Sequence, residues 1–205
     1  MREPASGSED VGIAILAGGE ASRLPGKLTL SAPDVPMIVR VYRNVSPGRP
    51  TWIACREPFA PDVDSLLDCA KVFDRQGARG PLAGLLSAME QMPTRRVFAA
   101  AGDAPFLDAG FIDRLAAAWQ PGDEAVVPMH GDARKRRFEP LAALYDRRAF
   151  LREGERAMSD GGSLHAVLER LRVRPYPISA RDTRIFTNVN TPEDYAAAFE
   201  LDESP

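Results

Sequence analysis

The 205-residue chain is poor in the groups that soft-metal and acid–base chemistry draw on: it has two cysteines, two histidines and two tryptophans. Cys55 and Cys69 stand at a spacing that matches no zinc or redox motif, and His130 and His165 are the only histidines beside them. Both thiols therefore read as structural groups of a reducing compartment. No stretch approaches the ~20 apolar residues that span a bilayer. The opening MREPASGSED has no apolar core, which argues against a signal peptide. A large excess of charge of either sign is missing too. A formal net charge of -3 and a pI near 5.5 argue against bulk binding of nucleic acid, so any anion has to be gripped by a few local groups. Together these absences predict a cytoplasmic protein with no membrane and no nucleic-acid partner.

What the chain does have is alternation. VGIA is a β-branched apolar run that reads as a buried strand, and PMIVRVYRNV places Met37, Ile38, Val41, Tyr42 and Val45 on one helical face. TWIAC reads as a strand, and DVDSLLDCA returns to helical spacing through Val63, Leu66, Leu67 and Ala70. KVFD is a short strand. PLAGLLSAMEQM is a helix with Pro81 in its first turn and Leu82, Leu85, Leu86 and Met89 inward. RRVFAAAGD is nearly continuous in apolar residues, as expected of a central strand covered on both faces. DAGFIDRLAAAW is a helix capped by Asp108, and EAVVPMH is another strand.

The last third is less regular. PLAALY reads as a strand, SLHAVLERL as a helix that carries His165 in its apolar pattern, and VRPYPIS as an edge strand because of its prolines. TRIFTNVN reads as a strand running into the helix TPEDYAAAF, where Thr191 caps, Pro192 starts and Asp194 completes a capping box. This alternation predicts an α/β fold with a mostly parallel central sheet. The expected organisation is a single domain over 11–200, with tails at 1–10 and 201–205.

The segment ILAGGEASRLPGK, which follows directly on the first strand, carries the chemistry. Its glycines fit neither the Walker pattern nor GxGxxG: Ala21 stands where the Walker pattern needs its first glycine and Leu28 follows Lys27, while GxGxxG fails because Gly18 and Gly19 are adjacent. Adjacent glycines after Leu16 and Ala17, at the carboxyl end of a strand, let backbone N–H groups converge on an anion. Arg23 can fork two phosphate oxygens, and Lys27 can act as a mobile point charge on a third. Either this loop grips a polyphosphate or it is a tight turn with two solvated cations. Asp103 follows an apolar strand through Gly102, which puts a carboxylate at the same edge of the sheet.

LAGG with the following Arg and Lys, then GPLAG at 80–84, GDAPF at 102–106, EPLAALY at 139–145 and NVNTPED at 188–194, resembles the molybdenum cofactor guanylyltransferase family of the nucleoside triphosphate transferase superfamily. The motifs occur in the family's order over roughly 11–200. The resemblance implies a three-layer Rossmann-like nucleotidyltransferase domain that moves GMP from GTP to the terminal phosphate of molybdopterin or molybdenum cofactor, with release of pyrophosphate. It assigns nucleotide binding to Leu16, Ala17, Gly18, Gly19, Arg23, Lys27, Asp74, Gly80 and Asp103, and catalysis to Arg23, Lys27 and Asp103. It makes magnesium the cofactor, with Asp103 as ligand and Asn190 as second contact. Asn190 equally fits an Asx turn before a helix, and Asp74 fits either a guanine-selecting carboxylate or a turn.

Such an acceptor needs no general base, because a phosphate monoester with a second pKa of ~6 is largely ionised near neutrality. One departure stands out: RLPGK has Pro25 where the family has glycine and reaches Lys27 sooner. That shortened loop keeps two alternatives open, a nucleotide-binding accessory protein without turnover and a cytidylyltransferase or other transferase to a small phosphate acceptor. The basic run Arg134, Lys135, Arg136 and Arg137 is either a solvated loop or a receiver for the acceptor's phosphate. Transient contact with cofactor-biosynthesis or molybdoenzyme proteins is the implied protein partnership.

Overall fold

The computed structural model describes residues 10–18, 24, 26–32, 34–73, 80–131 and 136–199. One eight-stranded sheet runs through them: β1 (Val11–Leu16), β2 (Thr51–Cys55), β3 (Ala70–Phe73), β4 (Arg96–Ala101), β5 (Ala125–His130), β6 (Arg137–Phe138), β7 (Ala142–Asp146) and β8 (Val173–Pro177). The spatial order is β3-β2-β1-β4-β7-β5-β6, with β8 on the other side of β5. β3, β2, β1 and β4 pair in parallel, β7 runs against both β4 and β5, and β8 is parallel to β5. The mostly parallel α/β sheet expected from the sequence is present, with one reversed strand in its interior.

Period-two alternation divides the core into two layers. Ile13, Ile15, Ile53, Phe98, Ala100, Val126 and Leu144 face helices α1 (Met37–Val45), α2 (Pro61–Asp64) and α4 (Ala109–Ala118). Ala14, Leu16, Ala54, Val97, Ala99, Ala143 and Tyr145 face α3 (Pro81–Gln91), α5 (Arg147–Ser159) and α6 (Leu164–Leu168). The sheet is thus covered on both sides, and its central strands are apolar on both faces, as β4 requires. A third, smaller cluster docks α7 (Pro192–Phe199) against the segment around Ala32 and Met37. No described helix is long and apolar enough to cross a membrane.

Several local expectations hold through specific contacts. The Asp108 carboxylate accepts the Phe111 N–H at 2.7 Å and starts α4. Thr191 Oγ1 accepts from the Asp194 N–H at 3.1 Å while Asp194 Oδ2 accepts from the Thr191 N–H at 3.0 Å, a complete capping box for α7. Leu82, Leu85, Leu86 and Met89 are buried on α3.

Other expectations are corrected. DVDSLLDCA forms only the single turn of α2; Leu66 is exposed, and the Ser65 hydroxyl bonds back to the Asp62 carbonyl, a competition for backbone groups that shortens helices. TRIFTNVN is no strand: 180–186 form a 3₁₀ turn, fixed because the buried Asp182 carboxylate accepts from both Arg114 and Ser179. SLHAVLERL keeps only the five residues of α6, and His165 lies on its exposed face. A helix not expected from the sequence, α5, begins where Asp146 accepts the Ala149 N–H at 2.9 Å. The short strand β6 is likewise unexpected.

Candidate active site

The parallel strands β1 and β4 end side by side, with Leu16 in register with Ala101. Beyond them the Gly102 N–H donates to the Leu16 carbonyl at 3.0 Å. A Cβ at position 102 would lie 2.9 Å from that same oxygen, so the close approach requires glycine. Asp103 is thereby held at the carboxyl edge of the sheet. Its own carbonyl accepts the Val189 N–H at 2.9 Å, which draws the NVNTPED segment alongside.

Lys27 reaches this point from another direction. Gly26 adopts φ +69, a conformation natural to glycine, and turns the chain into the 3₁₀ segment Lys27–Thr29. The Lys27 ammonium donates to Asp103 Oδ2 and to Asn190 Oδ1, the latter at 2.8 Å. The Lys27 and Asp103 side chains are respectively 17% and 19% exposed, so the ion pair is shielded without being sealed from solvent. Asn190 is set by the cap beneath it, since its N–H donates to Asp194 Oδ2 at 2.9 Å. Positions 27, 103 and 190 therefore meet at one cation. The Asn190 side-chain oxygen is thus turned to the Lys27 ammonium, and the turn before α7 is organised by the Asp194 carboxylate instead.

Two cavities flank Asp103. One, of about 330 Å³, is walled by Leu16, Gly18, Lys27, Pro81, Ala101 and Leu141. The other, of about 250 Å³, lies toward Glu139, Phe186, Asn188 and Asn190. A narrow groove continuous in lining with the first runs past Gly18, Ala54, Arg56, Gly80 and Gly84. Gly80 has φ +92 and immediately precedes Pro81, the first residue of α3. Of the residues singled out from the sequence, Leu16, Gly18, Gly80, Lys27, Asp103 and Asn190 thus lie around one region, with Ala17 bonded into the end of β2 through the Ala54 carbonyl at 2.8 Å. Gly19, Arg23, Asp74, Arg134 and Lys135 lie outside the described residues; Arg136 and Arg137 are exposed.

Arg56 and Phe186 were not singled out from the sequence, and Glu139 and Leu141 stood only within the EPLAALY motif, without a site role. Arg56 follows the carboxyl end of β2, so the strand-end rule was enough to find it. Glu139 and Phe186 carry no such signal, because an irregular jog and a 3₁₀ turn bring them in.

A larger cavity, about 720 Å³, opens at the opposite, amino end of β1 and β4. Two of its charged groups, Arg147 and Asp146, are committed to the scaffold. Arg147 donates to the carbonyls of Thr94 at 3.0 Å and Met89 at 3.1 Å, closing the end of α3, and Asp146 caps α5. Size does not select the site here; convergent polar groups at the carboxyl edge do.

A family model described as a MobA-like NTP transferase domain matches residues 13–175. The molybdenum cofactor guanylyltransferase of Cupriavidus pinatubonensis is 30% identical over 89% of this chain and 93% of its own length. The enzyme of that name from Mesorhizobium japonicum is 30% identical over 95% and 97%. Among solved structures, molybdopterin-guanine dinucleotide biosynthesis protein A from Archaeoglobus fulgidus superposes with a TM-score of 0.78 at 28% identity, covering 93% of this chain and 97% of that one. A CMP-KDO synthetase solved with CTP shares the fold, with a TM-score of 0.73 at 16% identity. The chain belongs to the MobA-like NTP transferase family and is a nucleotidyltransferase.

Proposed function

We propose that this nucleotidyltransferase moves GMP from GTP to the terminal phosphate of molybdopterin, releasing pyrophosphate. The observation that carries the proposal is the meeting of Lys27, Asp103 and Asn190 between two cavities that share Asp103. A transfer between two bound phosphates needs two compartments joined at one charged point, and the carboxyl edge of the sheet supplies them. The names of the similar proteins support guanine and the molybdenum cofactor as donor base and acceptor.

In the step itself an acceptor phosphate oxygen forms a bond to the α-phosphorus, the bond from that phosphorus to the α–β bridging oxygen breaks, and pyrophosphate leaves with the electron pair. No side chain has to remove a proton, which suits a site without histidine at its centre. The obstacle is the accumulation of negative charge, which positioned cations and N–H groups offset. Lys27 is placed to move from Asp103 onto a phosphate oxygen, and Arg23 with the N–H groups of Gly18 and Gly19 is assigned the rest of the triphosphate. Asp74 and Gly80 are assigned the guanine.

Asp103 and Asn190 fit a magnesium ion. Two of their oxygens already converge on one cation, the Lys27 ammonium, and magnesium on a nucleotide needs few protein oxygens because it keeps several waters. When bound there, magnesium supplies Lewis-acid neutralisation of the phosphates. Pyrophosphate release with molybdopterin and magnesium, compared across GTP, CTP and ATP, tests the reading. Release with GTP at a rate at least tenfold above CTP is the expected result, and preference for CTP would move the chain to the cytidylyltransferase alternative. Tight GTP binding without release would make it an accessory nucleotide-binding protein.

A further inference from the structure

The three side chains that meet at the Lys27 ammonium come from three segments, and those segments meet a second time. Lys27 belongs to a strap of residues 26–32, Asp103 to the loop that continues to Phe106, and Asn190 to the turn before α7. Beside α7 the same segments build the small apolar cluster. Ala32, Met37 and Val189 are fully buried there, Ala198 and Phe199 nearly so, and Leu24, Phe106 and Tyr195 pack around them. The Phe199 ring centroid lies 5.9 Å from that of Phe106 and 5.0 Å from that of Tyr195. This cluster is separate from the two layers that cover the sheet.

The charged meeting point is one that the reaction has to undo. When Lys27 passes from Asp103 to a phosphate oxygen, its bonds to Asp103 and Asn190 are lost, and the strap needs another hold. At one end Gly26, with φ +69, is a swivel. At the other the Met37 N–H closes onto the Leu30 carbonyl at 2.9 Å and the chain enters α1. Leu28 rests on the layer beneath, but Leu30 is exposed. Two side chains then reach the strap's carbonyls from outside: Arg40 Nη1 donates to Ala32 at 2.6 Å, and the Tyr195 hydroxyl donates to Ser31. Arg40 lies on α1, the direct continuation of the strap, so its bond is local. Tyr195 lies on α7, whose first turn sets Asn190 through Asp194, so its bond joins the strap to a different part of the site.

We propose that Tyr195 is a positioning residue that acts through Lys27: its hydroxyl latches the strap to α7, so that the ammonium stays over the site whether it pairs with Asp103 or with phosphate. Holding a cation in place before the substrate arrives removes the cost of ordering it on binding. The effect on GTP rests on the assignment of Lys27 to the triphosphate in the proposed reaction. The effect on the pairing of Lys27 with Asp103 stands without it.

The test is a double-mutant cycle on the full chain. Tyr195→Phe removes the hydroxyl and keeps the ring in the cluster. GTP affinity, measured by calorimetry with magnesium, is expected to weaken about two- to tenfold, the range for one neutral hydrogen bond. It is expected to weaken no further when Tyr195→Phe is added to Lys27→Met, because effects that pass through one group do not add. Manganese binding without nucleotide, read by electron paramagnetic resonance, is expected to strengthen about twofold or more, since the ammonium of a loosened strap neutralises Asp103 less. Unchanged manganese affinity in Tyr195→Phe would overturn the proposal; a bond that serves stability alone gives that result, with only a lower melting temperature. Equal weakening of GTP binding with and without Lys27 would also overturn it, by placing the action of Tyr195 elsewhere. If manganese binding strengthened while neither Tyr195→Phe nor Lys27→Met altered GTP affinity, the triphosphate role of Lys27 would fail and the latch would stand.

Discussion

The two halves of the sheet meet at Asp103 and are built on different principles. On one side, β1 through β4 form a parallel block whose connections return through helices, so every strand ends at the same edge, and glycines take a large share of its lining: Gly18, Gly26, Gly80 and Gly84. On the other, β7 is reversed, β5 and β6 are joined to it by a jog, and the lining is side chain: Glu139, Leu141, Phe186 and Asn190. A parallel edge offers backbone N–H groups, which suit a polyphosphate common to many substrates. An irregular edge offers individual side chains, which suit an acceptor particular to one reaction. The division predicts that damage to the first half reduces nucleotide use generally and that damage to the second changes what the nucleotide is transferred to.

The sharpest test falls where the halves join. Asp103→Ala removes the carboxylate common to both cavities, and magnesium-dependent pyrophosphate release is expected to fall about a thousandfold, the scale of losing a principal electrostatic group. The melting temperature should stay within a few degrees, since the side chain is a site group rather than core. A rate within tenfold of the parent would break the assignment of Asp103 to the metal.

Gly102→Ala probes the same junction through the backbone. Its Cβ would sit 2.9 Å from the Leu16 carbonyl, so the end of β4 must shift away from β1, at a cost of about 1–3 kcal/mol. For a chain of this size that corresponds to a melting temperature lower by about 2–4 °C per kcal/mol. An unshifted melt would show that the two strand ends are less tightly joined than the Gly102 to Leu16 hydrogen bond indicates.

Lys27→Met separates the two uses of one ammonium group. With the ion pair to Asp103 removed, manganese binding in the absence of nucleotide, read by electron paramagnetic resonance, is expected to strengthen several-fold. GTP affinity is expected to weaken about tenfold, because a charge-assisted contact to phosphate is lost. If both affinities fell together, Lys27 would be holding the metal ligands in place instead of exchanging with the ion.

The same division governs what could be read from the sequence. In the parallel half, strands buried on both faces leave uninterrupted apolar runs such as VFAAA, helices show clean spacing as in MIVRVYRNV, and glycine pairs mark the turns, so the elements and the glycine-lined edge were legible. Lys27, Asp103 and Asn190 were named from motifs, although that one ammonium would bridge the other two depends on tertiary closure across residues 27, 103 and 190. In the other half the signal fails for physical reasons. TRIFTNVN has strand-like residues, but a buried carboxylate, Asp182, outweighs propensity by bonding Arg114 and Ser179 and winding the segment into a 3₁₀ turn. RRAFLREGERAMS reads as polar and contains a glycine. It is nevertheless a helix, because Ala149, Phe150, Gly154 and Ala157 pack on α3 and a Cβ at Gly154 would lie 2.8 Å from the Leu86 side chain.

The smallest effect is also the most specific to the boundary between halves. Asp194 does two things with one oxygen: it closes the cap of α7 through the Thr191 N–H, and it holds the main chain of Asn190 through the Asn190 N–H. Asp194→Ala should therefore lower stability by about 1 kcal/mol, the usual value of a helix cap, and also loosen the residue that presents Oδ1 to the Lys27 ammonium. A pure cap would give only the thermal shift. A positioning role predicts in addition a higher magnesium requirement, a few-fold increase in the concentration for half-maximal pyrophosphate release, with no change in the GTP concentration at saturating metal. Thr191→Ala removes the other half of the capping box without touching the bond to Asn190. If both variants lost the same stability and only Asp194→Ala moved the metal requirement, the cap and the site would be shown to share a carboxylate while remaining separable functions.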